Sequence, residues 1–476
     1  MGSVGISFGS PTSGQGFDVS TTVSAIVANL QAVETPWKNQ LTTLQSEDTA
    51  LTSIGTDLSS LSTALHSLTD FEGTFAGKEG SSSDTSVVAL TNATSGAVAG
   101  SHTIVVGQLA QAFSYAGSAV NSSDTLSGTL TIGSQVITIS DGSAVDPESG
   151  DTIPQNNTLS SLASYINAGD YGVEANVVSV GAGQSELTLV STTSGAAGAV
   201  SIDAGSLSDA TPHSTTAGLV TFAQQQKGQD AEYSIDGLPT MTSSSNTVTD
   251  AIPGVTMQLL EAAPQESVQV EITNDNSAVE SAMSTFVSAY NTVVGDLNTQ
   301  EGNTSSWTAE PLYGNPAMAL LQERLQQAIT YTQSSGAITS LSQLGITPGT
   351  NNDRTLTLNT STLDSALNSN YQDAMNFFQS NSGYTSFGAN LTSTLTGLGN
   401  SGPDGAIYID LQQNSTQETN LNTNMTNENS VISTEQAQLT TELNEANYTL
   451  EEIPQQLQSV NELYSAITGY NESPQG

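Results

Sequence analysis

Apolar residues recur at helical spacing along both ends of the chain, far apart in sequence. A helix with such a stripe is not stable by itself in water and must bury the stripe against another helix. The amino-terminal stripe consists of Val23, Ile26, Leu30, Val33 and Trp37, followed by Leu41, Leu44, Leu51, Ile54, Leu58, Leu61, Leu65 and Leu68. The carboxy-terminal stripe consists of Leu421, Met425, Ile432, Leu439, Leu443, Ala446, Leu450, Ile453, Leu457, Val460, Tyr464 and Ile467. The two ends are therefore predicted to be long helices that associate sideways.

Prolines and the distribution of charge constrain these helices. Pro36 is predicted to break or kink the first helix, and Pro454 to kink or restart the last one. Unbroken helix from Leu411 to Ile467 would extend ~85 Å. No Lys or Arg follows Arg354, so apolar contacts and Asn or Gln amides are expected to set the register of the carboxy-terminal helix. For the segment from Leu41 to Leu68, an ordinary core helix fits the spacing as well as a coiled-coil seam does.

The middle of the chain changes near Lys78 to the alternating pattern of β-strands. Runs such as 102–106, 130–132, 136–139 and 186–190 are separated by Gly, Asn, Asp and Ser, which predicts antiparallel strands joined by turns. One helix, Leu159 to Asn167, is predicted to be capped by Thr158. Helical spacing returns after Asn274 to Ser277, along the face formed by Val279, Met283, Phe286, Val287, Tyr290 and Val294.

These patterns together predict an α+β multidomain fold. Long terminal helices form a coiled-coil or helical-bundle leg, and a β-rich antiparallel head of two domains is inserted between them.

Charge and cysteine content limit the function classes. The 476 residues include 46 Asp and Glu but only five Lys and Arg, so the formal net charge is −41. Such a surface repels polyanions, which excludes nucleic acid and anionic membranes as partners. The sequence shows neither a run of 18 apolar residues nor a basic, apolar leader, so membrane insertion and a conventional cleaved signal peptide are not expected. The absence of cysteine favours export of an unfolded chain through a narrow channel.

No residue pattern singles out a catalytic or metal site. His66, His102 and His213 are scattered and lack the spacing of a zinc motif. The acidic loop from Asp141 to Asp151 lacks the ordered alternation of a calcium loop, so a solvated loop is the default interpretation and calcium binding the alternative. Nucleophile elbows, phosphate-cradling loops and dinucleotide fingerprints are absent from the sequence. The sequence therefore predicts no enzyme activity, no metal and no cofactor.

A series of strings along nearly the whole chain resembles the flagellar filament-capping family, also called hook-associated protein 2. The strings are TSGQGFD at 12–18, SSD at 82–84, GSHTIVVGQLAQA at 100–112, LSSLASYIN at 159–167, GVEANVV at 172–178, LTL at 187–189, QDAEYSIDG at 229–237, SNTVTDAIPGVT at 245–256 and FVSAYN at 286–291. Two positions depart from the family pattern: Arg354 stands where Gly is expected, and Asn359 where Asp is expected.

The resemblance implies a non-enzymatic ring of identical subunits, expected to number five, at the distal tip of the bacterial flagellar filament. Such a cap promotes polymerisation of flagellin exported through the channel, prevents its leakage, and is needed for filament elongation and motility. The implied partners are other copies of the chain, flagellin, the hook-filament junction protein and an export chaperone. The implied location is extracellular, reached by the flagellar type III export route without a cleaved signal peptide.

The domain division expected from the resemblance has four parts. They are terminal helical segments at 1–40 and 440–476, a helical leg domain at 41–78 and 278–439, a β-rich head domain at 79–115 and 205–277, and a second head domain at 116–204 that contains a flagellar hook-type module.

The helical seams are the predicted assembly interface. The residues assigned to it are Val23, Ile26, Leu30, Leu58, Leu61, Leu65, Leu68, Leu439, Leu443, Leu450, Leu457, Val460, Tyr464 and Ile467. The stretch from Leu58 to Leu68 is expected to pack against carboxy-terminal helices of the same subunit. The outermost stripes, Val23 to Trp37 and Leu457 to Ile467, are expected to bind flagellin or the hook-filament junction.

Two other function classes stay open from the residues alone. Flagellin or another junction protein shares the helical ends, but is not expected to contain the Asp-Gly string at 236–237 or the FVSAYN string. A secreted adhesin or polysaccharide hydrolase would suit a β-rich acidic middle, but would not need helical ends.

Overall fold

The computed structural model describes residues 16–146, 149–210, 218–249, 251–302, 309–351, 353–379, 383–399 and 402–469. Its internal contacts divide the chain into two units. The helical unit contains both ends of the chain, up to Asp70 and from Glu280 onward, and the β-rich unit is Phe71–Val279. The predicted fold class is confirmed, since the terminal segments are helical and the middle consists mainly of antiparallel sheets.

Eight α-helices lie within the described residues. They are α1 Val19–Gln31, α2 Thr35–Thr69, α3 Leu159–Ala168, α4 Asn276–Gln300, α5 Pro316–Ile329, α6 Thr360–Phe378, α7 Phe387–Leu398 and α8 Ala406–Thr468. Short polar side chains cap several of their amino termini by accepting a backbone N–H of the first turn. These caps are Asp18, Thr158, Asn315, Asn359 and Ser386. The described helices include none that is both long and apolar enough to cross a bilayer.

The two prolines behave differently. A short 3-10 turn, Ala32–Glu34, separates α1 from α2, and Pro36 lies in the first turn of α2, where its missing N–H is not needed. Near Pro36 the predicted break is present. In contrast, α8 runs for 63 residues through Pro454 without restarting, about 95 Å of helix. One missing backbone hydrogen bond among so many leaves the helix continuous.

The core of the helical unit combines the leucines of α2 with a group of stacked aromatic rings. Phe377 of α6 stacks on Phe387 of α7 with 4.9 Å between ring centroids, and Phe286 of α4 meets Phe387 edge-on at 6.3 Å. All three rings are fully buried. Burial of this size favours folding by roughly 2 kcal/mol or more per ring, so these phenylalanines hold α4, α6 and α7 together.

Twenty strands lie within the described residues. They are β1 Lys78–Ser82, β2 Val88–Ala93, β3 Gly100–Gln108, β4 Ala112–Gly117, β5 Val120–Asn121, β6 Leu126–Ser127, β7 Thr129–Ile132, β8 Gln135–Thr138, β9 Val173–Gly181, β10 Gln184–Ser194, β11 Ile202–Asp203, β12 Ser208–Asp209, β13 Phe222–Gln226, β14 Ala231–Ile235, β15 Met241–Ser243, β16 Thr247–Val248, β17 Val255–Leu259, β18 Val268–Asn274, β19 Ile346–Pro348 and β20 Leu356–Leu358.

Two five-stranded antiparallel sheets dominate the β-rich unit. The first has the order β1-β18-β3-β14-β15. In the second, β13, β4 and β10 are neighbours, β5 follows β4 alongside β10, and β9 pairs with the other side of β10. Each sheet covers its own apolar core, and α3 packs on the second sheet. The four-part domain division stays a prediction beside this coarser organisation.

Turn chemistry explains one of the family-like strings. Asp236 and Gly237 both have positive φ, 51° and 73°, and Leu238 N–H closes the turn on Ile235 C=O. This conformation favours Asp-Gly. The Asp236 carboxylate also accepts the Thr103 N–H at 2.8 Å, so the string ties the turn to β3.

Candidate assembly interface

The leucines of α2 form an inner seam inside the helical unit. Leu58, Leu61, Leu65 and Leu68 are each at most 2% exposed, and α2 packs against α6, α7 and α8 of the same chain. Their burial follows from a stripe that is apolar at every helical turn. These four side chains lie in intramolecular packing and offer no surface to another molecule.

Helices α1 and α2 run antiparallel along α8. Near one end, the Phe17 N–H donates to Asn447 Oδ1 at 2.8 Å. Further along, Asn414 Nδ2 donates to Asp48 Oδ1 at 2.8 Å. Rising residue numbers in α1 and α2 therefore meet falling numbers in α8. Between these two points, Val23 and Ile432 are buried, at 3% exposure each.

Asn414 connects α8 to a group of carboxylates. The side chain is 7% exposed, and its amide also reaches Glu47 Oε2 at 3.4 Å. Burial, with smaller contributions from the charges of Asp48 and Asp410, raises the pKa of Glu47 above its ordinary value, while the Asn414 hydrogen bond acts in the opposite direction. Asn315 Nδ2 donates to Asp410 Oδ2 at 3.2 Å. Amides thus take the place that basic residues occupy in most helical bundles.

A second acidic contact joins α2 to α4. Burial, a hydrogen bond shared with the Asp296 carboxyl group, and the Asp296 charge together raise the pKa of Asp57 to about 6. Two carboxyl groups this close favour sharing one proton. The described basic side chains do not include a hydrogen-bond or ion-pair partner for Asp57. The contact is therefore sensitive to pH near neutrality.

Beyond Ile453, which is half-buried, the large apolar side chains of α8 are exposed among the described residues. We call the exposed apolar face from Leu457 to Ile467 the distal stripe. Its side chains are exposed by 44% to 75% and are Leu457, Val460, Leu463, Tyr464 and Ile467. A row of large apolar side chains at this exposure marks an interaction surface.

The other predicted interface residues lie between these extremes. Ile26 and Leu30 of α1, and Leu439, Leu443 and Leu450 of α8, are half-buried, where α1 covers one side of α8. The exposure of the predicted interface residues therefore increases from α2, through the part of α8 beside α1, to the distal stripe. Which of these residues contact another molecule stays a prediction.

Sequence reasoning did not identify the polar residues of the seam. Asn414 and Asn447 give no local signal, since α8 contains many amides and only tertiary contacts distinguish these two. Glu34 is also buried at 1% exposure, with Oε2 accepting Lys38 Nζ at 2.8 Å.

The structure provides no competing site among the described residues. It brings together no cluster of three or more His, Asp or Glu side chains suited to a metal. In the acidic loop, Asp141 and Asp146 accept hydrogen bonds from Ser143 and Ser149 of the same loop, and Glu148 lies outside the described residues. His102 Nδ1 lies 2.8 Å from Asp236 Oδ2 in the turn described above, and His213 lies outside the described residues.

Comparison with known proteins points to one family. The chain matches the sequence model for the flagellar hook-associated protein 2 C-terminus over residues 228–467 and that for its N-terminus over 15–113. It is 27% identical over 319 residues to the B-type flagellar hook-associated protein 2 of Pseudomonas aeruginosa, covering 61% of this chain and 64% of that protein. It is 26% identical over 345 residues to flagellar hook-associated protein 2 of Escherichia coli K12, covering 70% and 72%. The chain thus spans just under two thirds of the Pseudomonas relative.

The fold comparison agrees with these matches. The D1-D2-D3 domains of the flagellar cap protein FliD from Escherichia coli superpose with a TM-score of 0.51 at 24% identity, covering 77% of this chain and 99% of that structure. At this identity the similarity concerns the fold. The C-terminal match alone covers half of the sequence, and it includes the part of α8 that carries the distal stripe. The chain belongs to the flagellar hook-associated protein 2 family.

Proposed function

We propose that this protein is the structural cap at the distal tip of a bacterial flagellar filament, where a ring of identical copies promotes polymerisation of exported flagellin. The family is a structural one and not a family of enzymes. The ring is expected to contain five subunits. The flagellar type III export route, assisted by an export chaperone, is the proposed path to the cell exterior, and no cleaved signal peptide is needed.

The distal stripe is the observation that supports a role in filament assembly. Helix α8 continues well past the part that α1 covers, and its last apolar residues meet solvent among the described residues. Burying about 100 Å² of apolar surface contributes roughly 2.5 kcal/mol, so a helical partner that covers several of these side chains is bound strongly. The proposed partner of this surface is flagellin or the hook-filament junction protein.

The ring is tested by electron microscopy of the purified full-length chain. Rings or stacked rings support a cap. Long filaments would identify a flagellin-like protein instead, and persistent monomers at high concentration would contradict the proposal.

The distal stripe is tested in cells whose chromosomal copy is deleted. Replacing Leu457, Val460 and Tyr464 by Asp should shorten filaments and increase flagellin in the medium at least tenfold, because charged side chains cannot be buried against an apolar partner. The matched control replaces Gln456, Ser459 and Asn461 by Asp, adding the same charge at exposed polar positions of the same helix. Normal filaments with the first variant, or in the deletion strain itself, would contradict the proposed role.

A further inference from the structure

The sheet that packs against α3 has two open edges. Strand β9 pairs with β10 on one side, and β13 pairs with β4 on one side. Among the described residues, no strand pairs with the outer side of either. From Asn176 to Gly181, β9 is exposed, and β13 is exposed from Ala223 to Gln226. Open strand edges carry unpaired N–H and C=O groups that can pair with another strand.

On β9, the outward backbone groups can be assigned. Asn167 of α3 accepts the Ala175 N–H and donates to the Ala175 C=O, both at 2.7 Å. The backbone groups of Ala175 therefore point away from β10. Because backbone direction alternates along a strand, the N–H and C=O of Val177 and Ser179 also point outward. Neither residue has a described partner for these groups. We call such residues free positions; β9 has two of them, next to Ala175, whose outward groups are already bonded to Asn167.

On β13, the same reasoning gives two matching positions. The Ser118 N–H donates to the Thr221 C=O at 2.8 Å, which places Thr221 in a hydrogen-bonded pair with the β4 side. By alternation, the backbone groups of Phe222 and Gln224 point outward, again with no described partner. Each edge thus has two free positions that are separated by one residue.

The directions of the two edges fit head-to-tail addition. Strands β13, β4, β10 and β9 alternate in direction, since each neighbouring pair is antiparallel. The β9 edge of one molecule would therefore meet the β13 edge of an identically oriented neighbour as an antiparallel pair. A contact between two different surfaces of identical subunits closes into a ring when the rotation allows.

We propose that β9 of one copy pairs with β13 of the next copy, so that this sheet continues from subunit to subunit. The proposal rests on the ring of copies proposed above and names the strands that join it. Its register places Val177 opposite Gln224 and Ser179 opposite Phe222, which uses all four free positions. Every pair in this register joins residues on the same face of the sheet, as antiparallel pairing requires.

Charge favours a second copy as the occupant. Copies that carry a net charge of −41 repel each other, and this repulsion is weakest at contact between surfaces that lack carboxylates. Residues 175–181 and 222–226 contain no charged side chain. The register also places Glu174 at the same end of the joint as Lys227, an exposed lysine with no partner among the described residues. Between the two pairs of free positions, the exposed Val178 lies opposite Ala223.

Disulfide trapping tests the joint, because the chain has no cysteine of its own. Val177→Cys and Gln224→Cys are prepared as single variants, mixed under assembly conditions and oxidised. Opposite residues of a hydrogen-bonded antiparallel pair lie about 5.5 Å apart between Cα atoms, within the range that a disulfide bridges. The mixture should give at least tenfold more covalent dimer than either variant alone. Within one chain, three strand spacings of about 4.8 Å separate the two edges, so the double variant can form only intermolecular bonds.

Val178→Cys mixed with Gln224→Cys is the matched control. The thiol of Val178→Cys is on the opposite face of the sheet from that of Gln224→Cys, so the yield of covalent dimer should fall to that of the single variants. If rings are seen by microscopy but the Val177→Cys and Gln224→Cys mixture gives no trapped dimers, the proposed β9–β13 pairing is wrong and the proposed cap function is unaffected. Dimers from Val177→Cys alone would overturn it in favour of a two-fold β9 contact. If the parent chain forms no rings or other oligomers, both proposals fail.

A second experiment removes one of the proposed hydrogen bonds between subunits, whereas the first adds a disulfide bond. Val177→Pro deletes only an outward N–H and leaves the pairing with β10 in place. We expect the ring to dissociate at concentrations at least tenfold higher than for Val177→Ala, with the melting temperatures of the two variants alike. Equal dissociation of the two variants would overturn the joint.

Discussion

Asp57 and Asp296 make one contact of the helical unit weaker as the pH rises. The raised pKa of Asp57, about 6, means that the folded chain holds this proton more tightly than the unfolded chain does. The stabilisation is complete below about pH 4, the ordinary pKa of Asp, and is lost as the pH rises through 6. Above pH 7 the Asp57 carboxylate is charged and is repelled by the charge of Asp296.

Asp57→Asn should therefore raise the free energy of unfolding at pH 7.5 by about 1 kcal/mol, after allowing for solvent screening of a partly exposed pair. At pH 4 the variant and the parent should be equally stable. Urea denaturation at the two pH values measures the difference. Glu435→Gln, which removes an exposed charge from α8, serves as control and should show no such pH dependence. A gain that is equal at both pH values would contradict the proton-sharing pair.

Arg354 occupies a backbone conformation that suits glycine. Its φ is +65°, which accounts for the glycine expected at this position of the family pattern. The guanidinium donates to Asn298 Oδ1 at 3.0 Å and to Glu301 Oε2 at 3.1 Å, but exposed pairs of this kind contribute little. Asn359, the other departure, caps α6 by accepting the Thr362 N–H, a role that Asp fills equally well.

Arg354→Gly should be more stable than Arg354→Ala by about 1 kcal/mol, because both variants lose the side-chain contacts but only alanine keeps the steric cost of positive φ. The midpoint of urea unfolding measures the difference. At the exposed helical position Glu435 the order should reverse, with alanine more stable than glycine by about 1 kcal/mol. Equal stability of the two Arg354 variants would show that the turn relaxes.

At the scale of elements, Asn414 holds α8 to α2. Asn414→Ala removes a buried amide and leaves the half-buried carboxylates of Glu47 and Asp48 without their shared donor, so the free energy of unfolding should fall by about 1 kcal/mol. Asn422→Ala, at an exposed position of the same helix, should change it by no more than about 0.5 kcal/mol. Chemical denaturation followed by circular dichroism compares the two. Equal effects would mean that apolar contacts alone set the register.

Elements with a strong local pattern were predictable, and elements defined by distant partners were not. The stripes of α2 and α4 and the Thr158 cap of α3 follow from nearby residues. In contrast, β13 pairs with β4, which is more than 100 residues away in the sequence. The sequence of β13, FAQQQ, does not indicate which strand it pairs with. The same holds for burial along α8. Its apolar stripe is covered at Ile432 and exposed at Val460 among the described residues, and this difference depends on the tertiary contact with α1.

For the whole molecule, the shortage of basic residues explains several features at once. Lys38 and Arg354 form ion pairs with carboxylates, and Lys78 donates to Asn274. Most other polar contacts in the described residues use hydroxyls and amides, which keep their hydrogen bonds over a wide range of pH. Lowering the pH reduces the repulsion among 46 acidic side chains without exposing a comparable positive charge. Self-repulsion of the chain should therefore be weaker at acidic pH than at neutral pH.

The contact between Phe17 and Asn447 spans 430 positions of the chain. A polypeptide that emerges in sequence order has its first helix outside long before the last one follows. The first helix must remain without its partner during that interval, while the sheets of the middle can already form from contiguous sequence. Pairing of α1 with the distal part of α8 can therefore form only after the chain has emerged past Asn447.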